Sequence, residues 1–154
     1  MSQLSHAKAS EDVWTCPKMG RIHLDLIGPL SVRSANGAFT YAQTWIEVST
    51  RLSFVSLLKK KDEALDRAKV TIQFLEVQSG LPLQSIRTDK GGEYVFEDWM
   101  NYCGGKGIDK QTTEAYSPKQ NGICERVNRT LTEKMRCILI WSGLPKSYWD
   151  VALC

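Results

Sequence analysis

No run of about 18 apolar residues occurs in the chain, so no segment reads as a membrane-crossing helix and no membrane partner is expected. The first residues, "MSQLSHAKASEDVW", lack the apolar centre of a secretory signal. Histidine is scarce, with only His6 and His23. The five cysteines, Cys16, Cys103, Cys124, Cys137 and Cys154, include no C-x-x-C pair. These shortages argue against a zinc site within the chain. An odd cysteine count without a secretory signal points to reduced thiols in an intracellular protein. Repeats and low-complexity stretches are absent. A large charge of one sign is absent too: the net charge is +3, which permits a nucleic-acid partner without demanding one.

What is present suits one domain. The 154 residues are 42% hydrophobic, enough for a real core. Residues 1–20 show no periodicity and read as a loose leader, with a single core domain over 21–154. "RIHLDLIGPL" alternates as a strand and closes at Gly28-Pro29. "AFTYAQTWIEV" and "RLSFVSLLKK" are β-rich and are expected to form a hairpin across Ser49-Thr50. "KDEALDRAKVTIQFLEVQSG" reads as a helix capped by Asp62 and stopped by Gly80. "LPLQSIRTD" is a strand ending at Asp89, "VFEDWMNYC" a short helix ended by Gly104-Gly105, and "IDKQTT" a fifth strand. A long helix and a last one, "KSYWDVAL", follow. This order gives a mixed α/β layer fold.

The stretch "YSPKQNGICERVNRTL" leads into the long helix. Ser117-Pro118-Lys119-Gln120 has capping-box form, and Asn121 is an equally good N-cap. Asn121 is preferred, because Gly122 would then sit at the helix edge and not in its interior, where it costs about 1 kcal/mol. Ile123, Val127, Leu131, Met135, Ile138 and Leu139 make the apolar stripe; Glu125, Asn128, Arg129, Thr132 and Arg136 lie on another face. The bland reading of Glu125 is a surface ion pair with Arg129 at i,i+4, worth a few tenths of a kcal/mol.

Two further acids are oddly placed. Asp25 lies inside an otherwise apolar strand, where an unpaired carboxylate is disfavoured. Asp89 ends a strand just before Gly91-Gly92, a position where α/β folds build sites, although turn-forming Asp is also common there. Glu93 reads as a loop surface residue. Converging carboxylates repel unless a cation joins them, and hard oxygen ligands select Mg²⁺ or Mn²⁺. Two such ions about 3.5–4 Å apart can activate a water or hydroxyl and stabilise the leaving oxygen of a phosphodiester.

Four pieces in order, "IHLDLIGPL", "IRTDKGGEY", "YSPKQNGICERVNRTL" and "GLPKSYWDVAL", resemble the integrase catalytic core of copia-type LTR retrotransposons, kin of retroviral integrases. The likeness covers about Arg21 to Leu153. The 35 residues between Asp89 and Glu125 fit that family's D…D-x35-E triad, giving Asp25, Asp89 and Glu125 as catalytic residues and metal ligands. The resemblance implies an RNase H-like fold, a five-stranded mixed sheet flanked by helices. It implies two Mg²⁺ or Mn²⁺ ions per active site when DNA is bound. The implied activity is 3′-end trimming of element cDNA and joining of those ends to target DNA. It also implies a homodimer or higher multimer, and a route through virus-like particles to the nucleus. Lys90, Lys119, Gln120, Asn121, Arg126 and Arg129 are the candidate DNA contacts. Residues 117–141 carry a net +3, the same as the whole chain, which suits a phosphate-backbone contact.

The chain departs from that pattern in three places. Ile46-Glu47-Val48-Ser49-Thr50-Arg51 stands where I-D-D-Y-S-R is frequent, Lys90 follows the second acid, and Cys124, not Ala, precedes the third. None removes a ligand. The family's His-His-Cys-Cys zinc domain is represented only by "WTCPKMG", so the expected reading is a core fragment, a truncated copy or a domesticated derivative. Two other functions compete. One is a catalytically silent DNA-binding or assembly module; the other is an RNase H-type nuclease, against which the 35-residue interval and the "SPKQNG" loop argue. Trp45, Phe54, Phe74 and Trp99 are expected in the core, and Trp141, Tyr148 and Trp149 against a partner subunit or further domain.

Overall fold

Alternation along strand β1, Arg21–Ile27, assigns its side chains to two layers, and everything that positions the site follows from that split. The computed structural model describes residues 19–88, 97–112 and 118–154, and not the side chains of 118–121. Five strands form one sheet in the order β3-β2-β1-β4-β5. They are β1, β2 (Tyr41–Glu47), β3 (Ser53–Leu58), β4 (Ser85–Thr88) and β5 (Asp109–Thr112). The first three pair antiparallel, and β4 and β5 add in parallel, so β1 is central. Helices are α1 (Glu63–Ser79), α2 (Glu97–Lys106), α3 (Pro118–Ser142) and α4 (Trp149–Leu153), with a 3₁₀ turn at Lys146–Tyr148. This is the expected RNase H-like architecture.

Ile22 and Leu24 of β1 point into the larger core, with Leu26 packed at its margin. There they meet Trp45, Leu58 and Ile86 from the sheet, Ala64, Ala68 and Ile72 from α1, and Trp99 and Cys103 from α2. Met19, just before β1, is buried in the same cluster. His23, Asp25 and Ile27 face the other layer. Ile27 packs there on a smaller cluster built from Ala42, Met135, Leu139 and Trp149.

Two helix boundaries and one cap differ from the sequence expectation. Helix α3 starts at Pro118, not Asn121. Proline suits the first helical turn, since its missing N–H would have no helical partner there and its φ is already helical. Gly122 therefore lies inside the helix and carries the cost that the Asn121 start would have avoided. Helix α2 runs through Gly104-Gly105 and stops at Gly107, whose φ of 70° supplies the left-handed turn. Asp62 precedes α1 as expected but makes no capping bond; Gly80, at φ 68°, ends that helix and donates to Glu76 O at 2.9 Å.

The aromatic expectations divide. Trp45 and Trp99 are fully buried, and Phe54 is partly buried and stacked on Trp45. Phe74 is 59% exposed: it falls on the outer face of α1, opposite Ala64, Ala68 and Ile72. Trp149 packs within this chain, with its Nε1 donating to Val32 O at 2.8 Å. Tyr148 packs beside it, whereas Trp141 is exposed. Ile138, assigned to the stripe of α3, is exposed as well; Met135 and Leu139 are the buried members.

Gly28 closes β1 with φ 133°, and a Cβ there would lie 2.8 Å from both Thr40 O and Tyr41 Cδ1. Gly28→Ala adds a left-handed strain to a backbone clash. The expected loss is about 2 kcal/mol or more, measurable by urea denaturation.

The β2–β3 hairpin explains one departure in the sequence. Glu47 is buried, and its carboxylate accepts bonds from Ser49 Oγ at 2.8 and 2.9 Å and from Thr50 N at 2.6 Å. Arg51 takes φ 62° to complete the turn. Burial opposes ionisation of Glu47, but the Thr50 and Ser49 bonds outweigh it and hold the carboxyl below its ordinary value of 4.5. A depressed carboxyl stabilises the fold above the unfolded value and loses that contribution as pH falls through the folded one. Glu47→Gln should therefore cost about 1–3 kcal/mol at neutral pH, and the gap to wild type should close on acidification below pH 4.5.

Candidate active site

The site grows from a match of two repeats. Residues two apart on a strand are separated by about 6.6 Å, and residues four apart on a helix by about 6 Å. On β1 the pair is His23 and Asp25; on α3 it is Cys124 and Asn128. His23 Nδ1 lies 3.1 Å from Cys124 Sγ, and Asn128 Nδ2 donates to Asp25 Oδ2 at 2.5 Å. Helix and strand thus run in the same sense and touch twice. Asp25 Oδ1 also accepts from Leu26 N at 2.9 Å.

Asp25 is half-buried, between the His23–Cys124 contact and the cluster that Ile27 joins farther along the helix. Glu125 follows Cys124 and lies one turn before Asn128, so it stands on the edge of the same interface. Its side chain is exposed, with no hydrogen bond or salt bridge among the described residues. The expected surface pair with Arg129 does not form: Arg129 Nε pairs with Glu133 Oε1 at 3.2 Å. Arg126 is exposed on the same helix. Thr88, the last described residue of β4, is in register with Leu24, one residue before Asp25. Asp89, Lys90 and Glu93 lie outside the described residues, as do the side chains of Lys119, Gln120 and Asn121.

Burial, followed by the nearby Arg87, Arg21 and Arg51, lowers the His23 pKa to about 4. His23 is therefore neutral at physiological pH. Arg87 is its neighbour in register on β4.

Could this donor set hold a divalent cation? Asn128 Oδ1 is buried and has no hydrogen-bond partner. With Asp25 and Glu125 it makes a set of hard oxygens, the chemistry Mg²⁺ and Mn²⁺ prefer. Among the described residues no group of three or more His, Cys, Asp or Glu side chains is placed to hold a metal. Two acids of the expected triad, Asp25 and Glu125, are among the described residues; Asp89 lies outside them.

Sequence reasoning did not single out Asn128, His23 or Cys124 for these contacts. The available signals were spacing alone: Asn128 at i+3 from Glu125, and His23 at i−2 from Asp25. Neither spacing tells which helix face meets which strand face.

Comparison with known proteins supplies the kinship. No family model matches the chain. The retrovirus-related Pol polyprotein from transposon TNT 1-94 of Nicotiana tabacum is 35% identical over 132 residues, 86% of this chain. The transposon Ty1-DR4 Gag-Pol polyprotein of Saccharomyces cerevisiae is 28% identical over 134 residues, again 86% of the chain. A solved simian T-cell lymphotropic virus intasome, in complex with PP2A regulatory subunit B56 gamma, superposes with a TM-score of 0.67. That match covers 91% of this chain and 49% of the other at 20% identity. The chain is similar to a segment of these retrotransposon polyproteins and shares the fold of the solved intasome chain. It spans only 10% and 8% of the two polyproteins' length. The intasome likeness establishes the shared fold, and the polyproteins tie that fold to copia-type elements.

Proposed function

We propose that the chain is a metal-dependent polynucleotidyl transferase core that trims and joins DNA 3′ ends. The observation that carries the reading is the Asp25–Asn128 bond, which docks the helix bearing Glu125 onto the strand bearing Asp25. Asp89 directly follows Thr88 in the sequence, and Thr88 pairs beside Leu24, so the chain order supports a third acid at the same end of the sheet. Asp25, Asp89 and Glu125 would hold two Mg²⁺ or Mn²⁺ ions. Such ions, when bound, activate a water or a 3′-hydroxyl and stabilise the leaving oxygen of a phosphodiester.

The chain's own residues do the rest. Asn128 fixes the rotamer of Asp25 through one carboxylate oxygen, and Leu26 N holds the other. Lys90, Lys119, Gln120, Asn121 and Arg126 are the proposed contacts to the DNA backbone. Arg129 can join them by leaving Glu133, because an exposed ion pair of this kind is worth about 1 kcal/mol or less. Assembly into a multimer on DNA ends is part of the same proposal. The competing function, a silent DNA-binding module, keeps the fold and the basic helix without chemistry.

A disintegration assay separates the two. The chain is given a branched DNA substrate and Mn²⁺, beside Glu125→Gln. Joining by wild type and its loss in the variant support the transferase. No joining by wild type, with DNA binding retained, supports the silent module.

A further inference from the structure

Glu125 is the only proposed ligand on α3, yet among the described residues nothing bonded to its carboxylate holds it in place. Its position is inherited from the helix. Met135 and Leu139 anchor the later turns of α3 in the cluster that Ile27 joins. Nearer Glu125 the helix meets β1 through two polar contacts, Asn128 with Asp25 and a second one turn earlier. His23 is 2% exposed and Cys124 3% exposed, and their Nδ1 and Sγ atoms meet at 3.1 Å. Residues 124 and 128 bracket Glu125 along the helix, and both are fastened to β1.

We propose that His23 and Cys124 are positioning residues, a clamp that fixes α3 on β1 so that the Glu125 carboxylate is held ready to bind the metal ion. This rests on the metal-dependent reading above. Partners that orient a ligand from behind typically alter metal affinity strongly when removed, even though they never touch the ion.

The test is Mn²⁺ binding to the full chain without DNA, followed by electron paramagnetic resonance titration. Cys124→Ala removes one side of the clamp and is expected to weaken Mn²⁺ binding roughly tenfold. His23→Leu removes the other side and should give the same loss, so the result does not depend on one variant folding. Cys124→Ser keeps a small polar atom in contact range and should recover most of the affinity. Ile72→Val, in the opposite core, lowers the melting temperature without touching the clamp and should leave Mn²⁺ affinity at the wild-type value. Glu125→Gln is the control for the metal site itself. If Glu125→Gln weakens binding while Cys124→Ala and His23→Leu stay within about twofold of wild type, the clamp is overturned and the metal reading stands. If Glu125→Gln also leaves binding unchanged, the metal reading fails and the clamp falls with it.

Discussion

Asp25→Asn is expected to abolish DNA joining, by about a thousandfold or more, while the fold barely notices. The asymmetry comes from two of the groups that meet Asp25. Its Oδ1 accepts from Leu26 N and its Oδ2 from Asn128 Nδ2. An amide in place of the carboxylate can still accept from Leu26 through its oxygen. Its nitrogen would then face the Asn128 side chain, whose own oxygen has no partner. A flip of the Asn128 amide turns that oxygen toward the new donor and restores the second bond. The expected cost in stability is therefore within about 1 kcal/mol, since a neutral bond replaces a charged one. The charge is what cannot be replaced. An amide does not neutralise a divalent ion, so a ligand of the proposed site is lost. Thermal melts and single-turnover joining on the same preparation check both halves.

The second large effect is on the fold. Trp45 is fully buried on β2, in register with Leu24 on one side and Phe54 on the other. Its ring stacks on Phe54 with centroids 5.6 Å apart and planes 6° from parallel. It therefore links three strands, including the one that carries Asp25. Trp45→Ala should cost about 3–5 kcal/mol, because the lost contacts are compounded by a cavity that the sheet cannot close. For a domain of this size that is a fall in melting temperature on the order of 10 °C. Urea denaturation measures it directly, and a loss under about 1 kcal/mol would show that the β2 core tolerates a void. DNA joining should fail as well, but only in step with unfolding, which separates this variant from Asp25→Asn.

Much of this was legible in the residues. All five strands fall where the residues put them, the first by its alternation and the next two by their β-rich composition, and Asp25 stood out because a carboxylate interrupts an apolar strand. The spacing of Asp89 and Glu125, with the motif pieces around them, pointed to the integrase-type core before any geometry was known. Helix ends were less legible, for physical reasons. Pro118, Asn121 and Gly122 each carry a valid end signal, and local chemistry does not rank them once tertiary packing holds the helix. Gly104-Gly105 looked like a stop, yet α2 passes through because only Gly107 needs a positive φ. Trp149 looked available to a partner, but the indole finds Val32 O across the chain. The clamp residues were hidden for the same reason. Cys124 and His23 are 101 positions apart, and neither stretch holds a local cue that they touch. Glu47 shows the opposite case: a departure from the family pattern became intelligible once its carboxylate was seen capping the turn with Ser49 and Thr50.

The central claim is that the acids of β1, of the segment after β4 and of α3 share a metal site. Crystals of the chain soaked in Mn²⁺, with anomalous diffraction recorded on the manganese edge, test it most directly. The expected result is an anomalous peak in contact with Asp25 and Asp89, strengthened or joined by a second at Glu125, and lost in Asp25→Asn crystals. Ordered crystals that take up Mn²⁺ only elsewhere, with the three carboxylates free of it, would contradict the account.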